Sequence, residues 1–385
     1  YGNQIKNFVK SVYLRIKEIK FNEKFNPDKD LYPGQYIVDI ANKIINDHKK
    51  EKFSNFEKSF LLLKKESLNH SMNLIKKDLK NLGIEHDNFF SETKMVEQNL
   101  VTLASKTLKD KGYVVEGYLS PPKGEQDTNW KKIKRLIFKS TLFGDDSDRA
   151  MQKNDASWTY FANDVGYHKS KIDINFDYLI NVLGADHTGY IKRITAAVKA
   201  LSENKVKLNC KVCQLVKLYK NGKPFKMSKR AGDFISAQDL LNEVNKDSIR
   251  FMMLNRSNDV EIDFDFDKVL EKSKENPVFY VQYAFARINS LLRTLNINLF
   301  SNIILDENKV NFNEIEEKII RKVFEWPKII ESASNKFEYG VSRLNMANYI
   351  MMTTVNLTSI FDKIAIALNF KYKKAIRNLH IEGNA

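Results

Sequence analysis

A chain of 385 residues with 43% hydrophobic content is long enough for about two or three packed domains. Sixty-three Lys and Arg against 48 Asp and Glu give a formal net charge of +15, which suits a polyanionic partner such as nucleic acid and equally suits a Lys-, Asn- and Ile-rich coding bias. No apolar run approaches the ~18 residues needed to cross a bilayer and no secretory leader is visible, so a reduced, cytoplasmic protein is expected.

From Tyr1 to Ile19 the apolar residues Ile5, Phe8, Val9, Val12, Tyr13 and Ile16 fall at helical spacing, with lysines on the other face. Pro27 and the Tyr32-Pro33-Gly34 turn close that segment. Gln35 to about Leu82 is again helical and lysine-rich, its lysine runs reading most simply as solvated faces. Leu100 to Lys111 predicts a helix, Tyr113 to Leu119 a strand or hairpin, Pro121-Pro122-Lys123-Gly124 a rigid turn, and Arg135 to Ser140 a second strand. The loop Gly144-Asp145-Asp146-Ser147-Asp148-Arg149 carries three carboxylates, but their spacing is not that of a calcium loop. It reads as a solvated turn paired with Arg149.

Ser157-Trp158-Thr159-Tyr160-Phe161 opens with strand-forming residues and feeds a helix through Asp164, a candidate N-cap. Tyr160 and Asp164 are four apart and could flank one pocket, with Asp164 facing a cationic substrate. Tyr178 to Leu183 predicts a buried parallel strand ending at Gly184. The helix after Gly184-Ala185-Asp186-His187 shows Ile191, Ile194, Val198 and Leu201 on one face. Strand, glycine turn and helix put Asp186 and His187 at the carboxyl edge of a doubly wound sheet, where nucleotides bind.

Cys210 and Cys213 are the only cysteines, and one Cys-x-x-Cys without a second ligand pair reads as small core residues. Lys211 to Tyr219 forms an apolar strand-like run, and Asn221-Gly222 is a hairpin-turn signal because both turn positions need φ > 0. Next comes Lys226-Met227-Ser228-Lys229-Arg230, three cations in a loop before the N-cap pattern Ser236-Ala237-Gln238-Asp239. Such a loop can hold polyphosphate and meet the charge that grows on leaving pyrophosphate. Beyond Asp239 the chain is expected to be all-helical, with Asp259 to Asp267 an acidic connection. Helices are predicted at Asp247 to Leu254, Ser273 to Leu292, Ile315 to Phe324, Pro327 to Phe337 and Met346 to Leu368, before a basic end at Lys371, Lys373, Lys374 and Arg377.

Seven stretches in order resemble class I aminoacyl-tRNA synthetases, and specifically arginyl-tRNA synthetase. They are GDDSDRA (Gly144 to Ala150), WTYFANDVGYH (Trp158 to His168), NVLGADHTGYIKR (Asn181 to Arg193), CQLVKL (Cys213 to Leu218), KMSKRAG (Lys226 to Gly232), SIRFMML (Ser248 to Leu254) and NPVFYVQYAFAR (Asn276 to Arg287). The resemblance runs from Gly2 to about Phe337.

The resemblance implies ATP-dependent activation of L-arginine and transfer to tRNA(Arg), with Mg2+ assisting. Tyr160, Asp164 and His187 would then line the arginine site, and Gly184, Asp186, His187, Lys226, Met227, Ser228 and Lys229 the ATP site. Lys226 and Lys229 would be catalytic, neutralising the triphosphate, and Tyr283 and Arg287 would touch tRNA. The implied architecture is α/β plus all-α. Residues 1–25 would be a remnant of the first catalytic half, 26–150 an insertion, 151–256 the second half of a Rossmann-like catalytic domain, and 257–385 a helical anticodon-binding domain. A monomer without membrane attachment is expected.

Some positions depart from the family pattern. The first class I signature, His-Ile-Gly-His or a variant, belongs before Gly2 and is absent from this sequence, which begins at Tyr1 without an initiator methionine. A fragment or processed product is therefore expected, unable by itself to form arginyl-adenylate at a useful rate. The alternative is a tRNA-binding relic without activation chemistry. Phe285 stands where the family commonly has histidine, Ala156 where glycine is usual, and similarity fades after Phe337.

Overall fold

A computed structural model describes residues 2–26, 28–119, 133–225, 235–273, 275–294 and 312–336. The whole cationic loop, including Lys226, Met227, Ser228 and Lys229, lies outside the described residues, as do the Pro121 to Gly124 turn, the helix expected over Met346 to Leu368 and the basic end. Two compact units are present. Of the described residues, the first holds those up to Lys80 and Ile84–Leu215, and the second holds Asn81–Gly83 and those from Val216 onward.

The first unit opens with helices α1 (Asn3–Phe21), α2 (Gln35–Asp47) and α3 (Phe56–Asn81). Their apolar residues recur at three- and four-residue spacing, so each presents one stripe. Val9, Val12 and Ile16 of α1 join Ile37, Ile40 and Ile44 of α2, with Phe53 and Leu63, in one fully buried cluster. The lysine faces remain outside it, as the sequence predicts.

A second core of the same unit forms around α4 (Glu92–Glu97), α5 (Leu100–Asp110), β1 (Val114–Gly117), β2 (Arg135–Phe138), β3 (Arg149–Ala150) and α6 (Tyr160–Ile172). β1 and β2 are antiparallel, with Val114 opposite Phe138, and β3 adds to β2. Then β4 (Tyr178–Gly184), α7 (Ile191–Ser202) and β5 (Lys207–Cys213) make a βαβ crossover, the strands running parallel from Tyr178↔Lys207 to Gly184↔Cys213. Buried Ala196, Ala197 and Ala200 let α7 lie close against this core.

β4 is parallel but not wholly buried. Leu179 is covered, whereas Tyr178, Ile180 and Val182 are 51%, 44% and 69% exposed. Side chains alternate along a strand, so the odd residues of β4 share the helix-covered face with Leu208 and Cys210 of β5, which pack against the core. Within this unit, among the described residues, β4 pairs with β5 alone. The apolar run thus encodes strand type correctly and burial on one face.

The second unit begins at β6 (Val216–Lys220), which turns at Asn221 (φ 53°) and Gly222 (φ 67°) into β7 (Lys223–Pro224). The predicted hairpin is present. The expected single strand Lys211 to Tyr219, however, is two strands, broken at Gln214 and Leu215 and divided between the units. α8 (Ala237–Glu243) starts at Ser236 with a full capping box to Asp239, and α9 (Lys246–Leu254) starts at Asn245.

The expected acidic connection contains β8 (Ile262–Asp265), parallel to β6, so the region beyond Asp239 is not all-helical. Alternation in Ile262-Asp263-Phe264-Asp265 explains it, because Phe264 enters the core of the unit while Asp263 stays exposed. α10 (Phe266–Leu270) and α11 (Pro277–Thr294) follow. Buried Asn276 precedes α11; its Oδ1 accepts from the amides of Val278 and Phe279, and its Nδ2 donates to the carbonyls of Val269 and Glu271. Pro277 at the first helical position loses no hydrogen bond. The two helices expected around Pro327 are one helix, α12 (Glu314–Lys336), which carries the proline inside it.

Candidate active site

The N-cap of α6 is Thr159, whose hydroxyl accepts from the Ala162 amide at 3.1 Å. Asp164 therefore lies one turn inside the helix, not at its cap. That frees its carboxylate, which accepts a hydrogen bond from the Tyr190 hydroxyl. Burial, and then that hydrogen bond, pushes the Tyr190 phenol far above its ordinary range, so it stays protonated and donates. The Arg193 guanidinium sits over the Tyr190 ring, 5.3 Å from its centroid.

A second chain of hydrogen bonds fixes the backbone beneath Asp164. His168 Nδ1 is 2.8 Å from the Asp164 carbonyl oxygen, and its Nε2 is 2.9 Å from Asn181 Nδ2 on β4. The carbonyl can only accept, so Nδ1 carries the proton and Nε2 accepts from the amide. Lys171 Nζ donates to Asn181 Oδ1 at 3.2 Å, closing the assignment. Burial pulls the His168 imidazole below its ordinary pKa, and burial also lowers Lys171. Neutral His168 thus joins the helix carrying Asp164 to the strand that ends at Gly184.

Gly184 leads into a 3-10 segment, Ala185–Tyr190, at the carboxyl end of β4. Thr188 pins this turn by donating to the Ala185 carbonyl at 2.7 Å. Asp186 and His187 face solvent, with side chains 81% and 58% exposed and His187 Nε2 3.6 Å from Asp186 Oδ2. A Cβ on Gly184 would lie 2.7 Å from Asp186 Oδ1, so the missing side chain leaves room for that carboxylate. The Asp164–Tyr190 bond ties this segment to α6. Asp164, Asp186 and His187 therefore belong to one neighbourhood.

Tyr160 is the first residue of α6, 82% exposed, with Lys153 Nζ 5.6 Å from its ring centroid. It is one helical turn before Asp164, which puts both on the same face. Tyr283 and Arg287 are on α11 in the second unit, both exposed, with Arg287 Nη1 3.4 Å from the Tyr283 hydroxyl. Phe279 stacks on Tyr283 at 6.0 Å.

Each of the three carboxylates of the acidic loop has a protein partner. Arg149 holds Asp145 through two 2.7 Å contacts, Thr141 donates to Asp148, and Lys192 donates to Asp146 at 2.9 Å. Burial works against the Asp145 charge, but hydrogen bonds from Arg149, the Asp146 amide and Ser140 outweigh it and hold the carboxyl below its ordinary range. The pairing with Arg149 is as expected, whereas the Asp145 side chain is fully buried, not solvated. Among the described residues no three His, Cys, Asp or Glu side chains could hold a metal, and no helix is long and apolar enough to cross a membrane.

Tyr190, His168, Asn181 and Lys171 carry no assigned role in the sequence reading. One signal for them was present: Asn181 interrupts an apolar strand at a core-facing position, and a buried amide must find a partner.

Comparison with known proteins adds an independent line. Residues 126–291 match the family model described as tRNA synthetases class I (R), catalytic domain. An arginine–tRNA ligase from Pelagibacter ubique (strain HTCC1062) is 56% identical over 339 residues, covering 88% of this chain and 59% of that protein. One from Roseobacter denitrificans is 44% identical over 344 residues, with the same coverage of 88% and 59%. A crystal structure from Campylobacter jejuni, assigned as an arginyl-tRNA synthetase, superposes with a TM-score of 0.76 at 27% identity, over 94% of this chain and 74% of that one. The chain thus spans about three fifths of the length of these curated relatives, 59% in both cases. On the ordered motifs, the fold and this identity, residues 126–291 are the part of the chain that carries the class I (R) tRNA synthetase catalytic domain.

Proposed function

We propose that the chain works as part of an arginine–tRNA ligase, which activates L-arginine with ATP and passes the arginyl group to tRNA(Arg). The observation that carries this reading is the Asp164 carboxylate, oriented by Tyr190 and tied to the segment with Asp186 and His187 at the end of a parallel strand. A carboxylate in a fixed plane can take a guanidinium fork bidentately. Tyr160, on the same face of α6, would flank the aliphatic part of the substrate. Gly184, Asp186 and His187 would receive the ribose and the reacting end of arginine.

In the first step the arginine carboxylate attacks the α-phosphorus of ATP and pyrophosphate leaves. Lys226 and Lys229, with Met227 and Ser228 in the same loop, would meet the charge on that leaving group. Mg2+ would arrive with the ATP phosphates, as magnesium commonly does. The part from about residue 257 would bind the anticodon arm, with Tyr283 and Arg287 among its contacts. A cytoplasmic monomer fits the reading.

The test is Asp164→Asn in the full-length gene product, read by ATP–pyrophosphate exchange. Loss of a charged partner for the guanidinium should raise KM for arginine by about tenfold or more while KM for ATP stays near its original value. An unchanged KM for arginine would refute the site.

A further inference from the structure

We infer that Tyr190 is a specificity-determining positioning residue, which locks the plane of the Asp164 carboxylate so that it accepts the planar guanidinium of arginine in preference to an ammonium group. This rests on the proposed arginine site and deepens it.

The carboxylate is the terminal group of a short side chain, and its last torsion is broad and weakly held. An unheld carboxylate can swing to meet any cation. A lysine or ornithine ammonium is a point charge with rotating donors and is served equally well by any carboxylate plane, whereas a guanidinium gives its full two-bond geometry only to a carboxylate in the matching plane. Selection between them therefore needs the plane to be fixed in advance.

Tyr190 supplies that restraint. Its hydroxyl donates to Oδ2 of Asp164, which leaves Oδ1 and the second lone pair of Oδ2 for an incoming fork. The ring cannot easily follow a moving carboxylate, because it packs against the core of its unit and carries the Arg193 guanidinium 5.3 Å from its centroid. The segment behind it is pinned by Thr188. On the Asp164 side, His168 holds the carbonyl of the same residue, and Asn181 holds His168. Both ends of the Asp164–Tyr190 bond are thus anchored to rigid elements, the arrangement that preorganised recognition requires.

Tyr190→Phe keeps the ring, its packing and its contact with Arg193, and removes the hydroxyl alone. In the full-length gene product, KM for L-arginine should rise about tenfold or more, with kcat changed less. KM for L-lysine, assayed as a poor substrate or through its inhibition constant, should stay within about twofold, so the arginine-to-lysine preference narrows by about the same tenfold factor. Thermal unfolding of the variant reports separately on any loss of packing, which would not by itself narrow the preference. Equal shifts for arginine and lysine, or no shift for arginine while Asp164→Asn raises its KM, would overturn the inference and leave the site standing. No effect of Asp164→Asn would remove the site itself.

Discussion

Asn181 Nδ2 on β4 lies 2.9 Å from His168 Nε2 on α6, and the opposite ring nitrogen, at 2.8 Å, donates to the carbonyl of Asp164. One neutral imidazole therefore spans from the strand to the helix residue whose carboxylate is proposed to read the substrate. The bond at Nε2, where the ring accepts, depends on its protonation state. A second proton on Nε2 would turn an acceptor into a donor facing the Asn181 amide.

That dependence gives stability a defined sign with pH. Burial lowers the His168 pKa below the ordinary histidine value of 6.5, so the unfolded chain binds this proton before the folded chain does. At pH above 6.5 neither state carries it, and the contribution to stability is fully present. As pH falls below 6.5 toward the lower folded value, the unfolded state binds more protons and stability is lost. Melting temperatures measured from about pH 7.5 to about pH 5.5 should fall on the acid side, in the range where an ordinary histidine titrates. His168→Gln, which offers an acceptor and a donor without a titration in this range, should flatten the slope. An unchanged slope in that variant would assign the pH response to other groups.

Gly166 sets how closely α6 approaches α5. A Cβ there would sit 3.0 Å from both the Cα and the amide nitrogen of Val101 and 3.2 Å from the Leu100 carbonyl carbon. These are backbone atoms, which cannot rotate aside as a side-chain tip could. Gly166→Ala should cost about 1–3 kcal/mol through overpacking, despite the better helix propensity of alanine. Urea unfolding monitored by circular dichroism measures this directly. A more stable variant would mean that α5 shifts without penalty.

Much of this architecture was legible because local and tertiary signals agree. Val9, Val12 and Ile16 recur at helical spacing and are all buried. Asn221-Gly222 requires two positive φ angles and has them. Ser236 and Asp239 form the capping box that their spacing predicts. Failures occurred where one pattern serves two meanings. Lys211 to Tyr219 reads as one β run, yet two unlike residues, Gln214 and Leu215, separate strands of different sheets. Asp259 to Asp267 has the charge of a loop and the alternation of a strand, and burial of Phe264 decides for the strand. In the proposed site, Asp164 stands out in the sequence by its type and place, but its hydrogen-bond partner Tyr190 is 26 residues away. No periodicity within one element specifies a contact across two.

The proposed RNA surface on α11 is open to a charge-counting test. Arg287 and Tyr283 are one helical turn apart, exposed and within 3.4 Å of each other, with Phe279 stacked beneath. An aromatic ring beside a guanidinium is a combination that serves both base stacking and phosphate contact. If Arg287 meets a phosphate, Arg287→Ala should weaken tRNA(Arg) binding and reduce the magnitude of the slope of log affinity against log salt by about 0.7 to 1. Tyr283→Ala should weaken binding with little change in that slope, because stacking releases no counterion. Filter binding across a salt series separates the two. Equal affinity and equal slope for Arg287→Ala and the parent protein would move the tRNA contact to another face of the helical region.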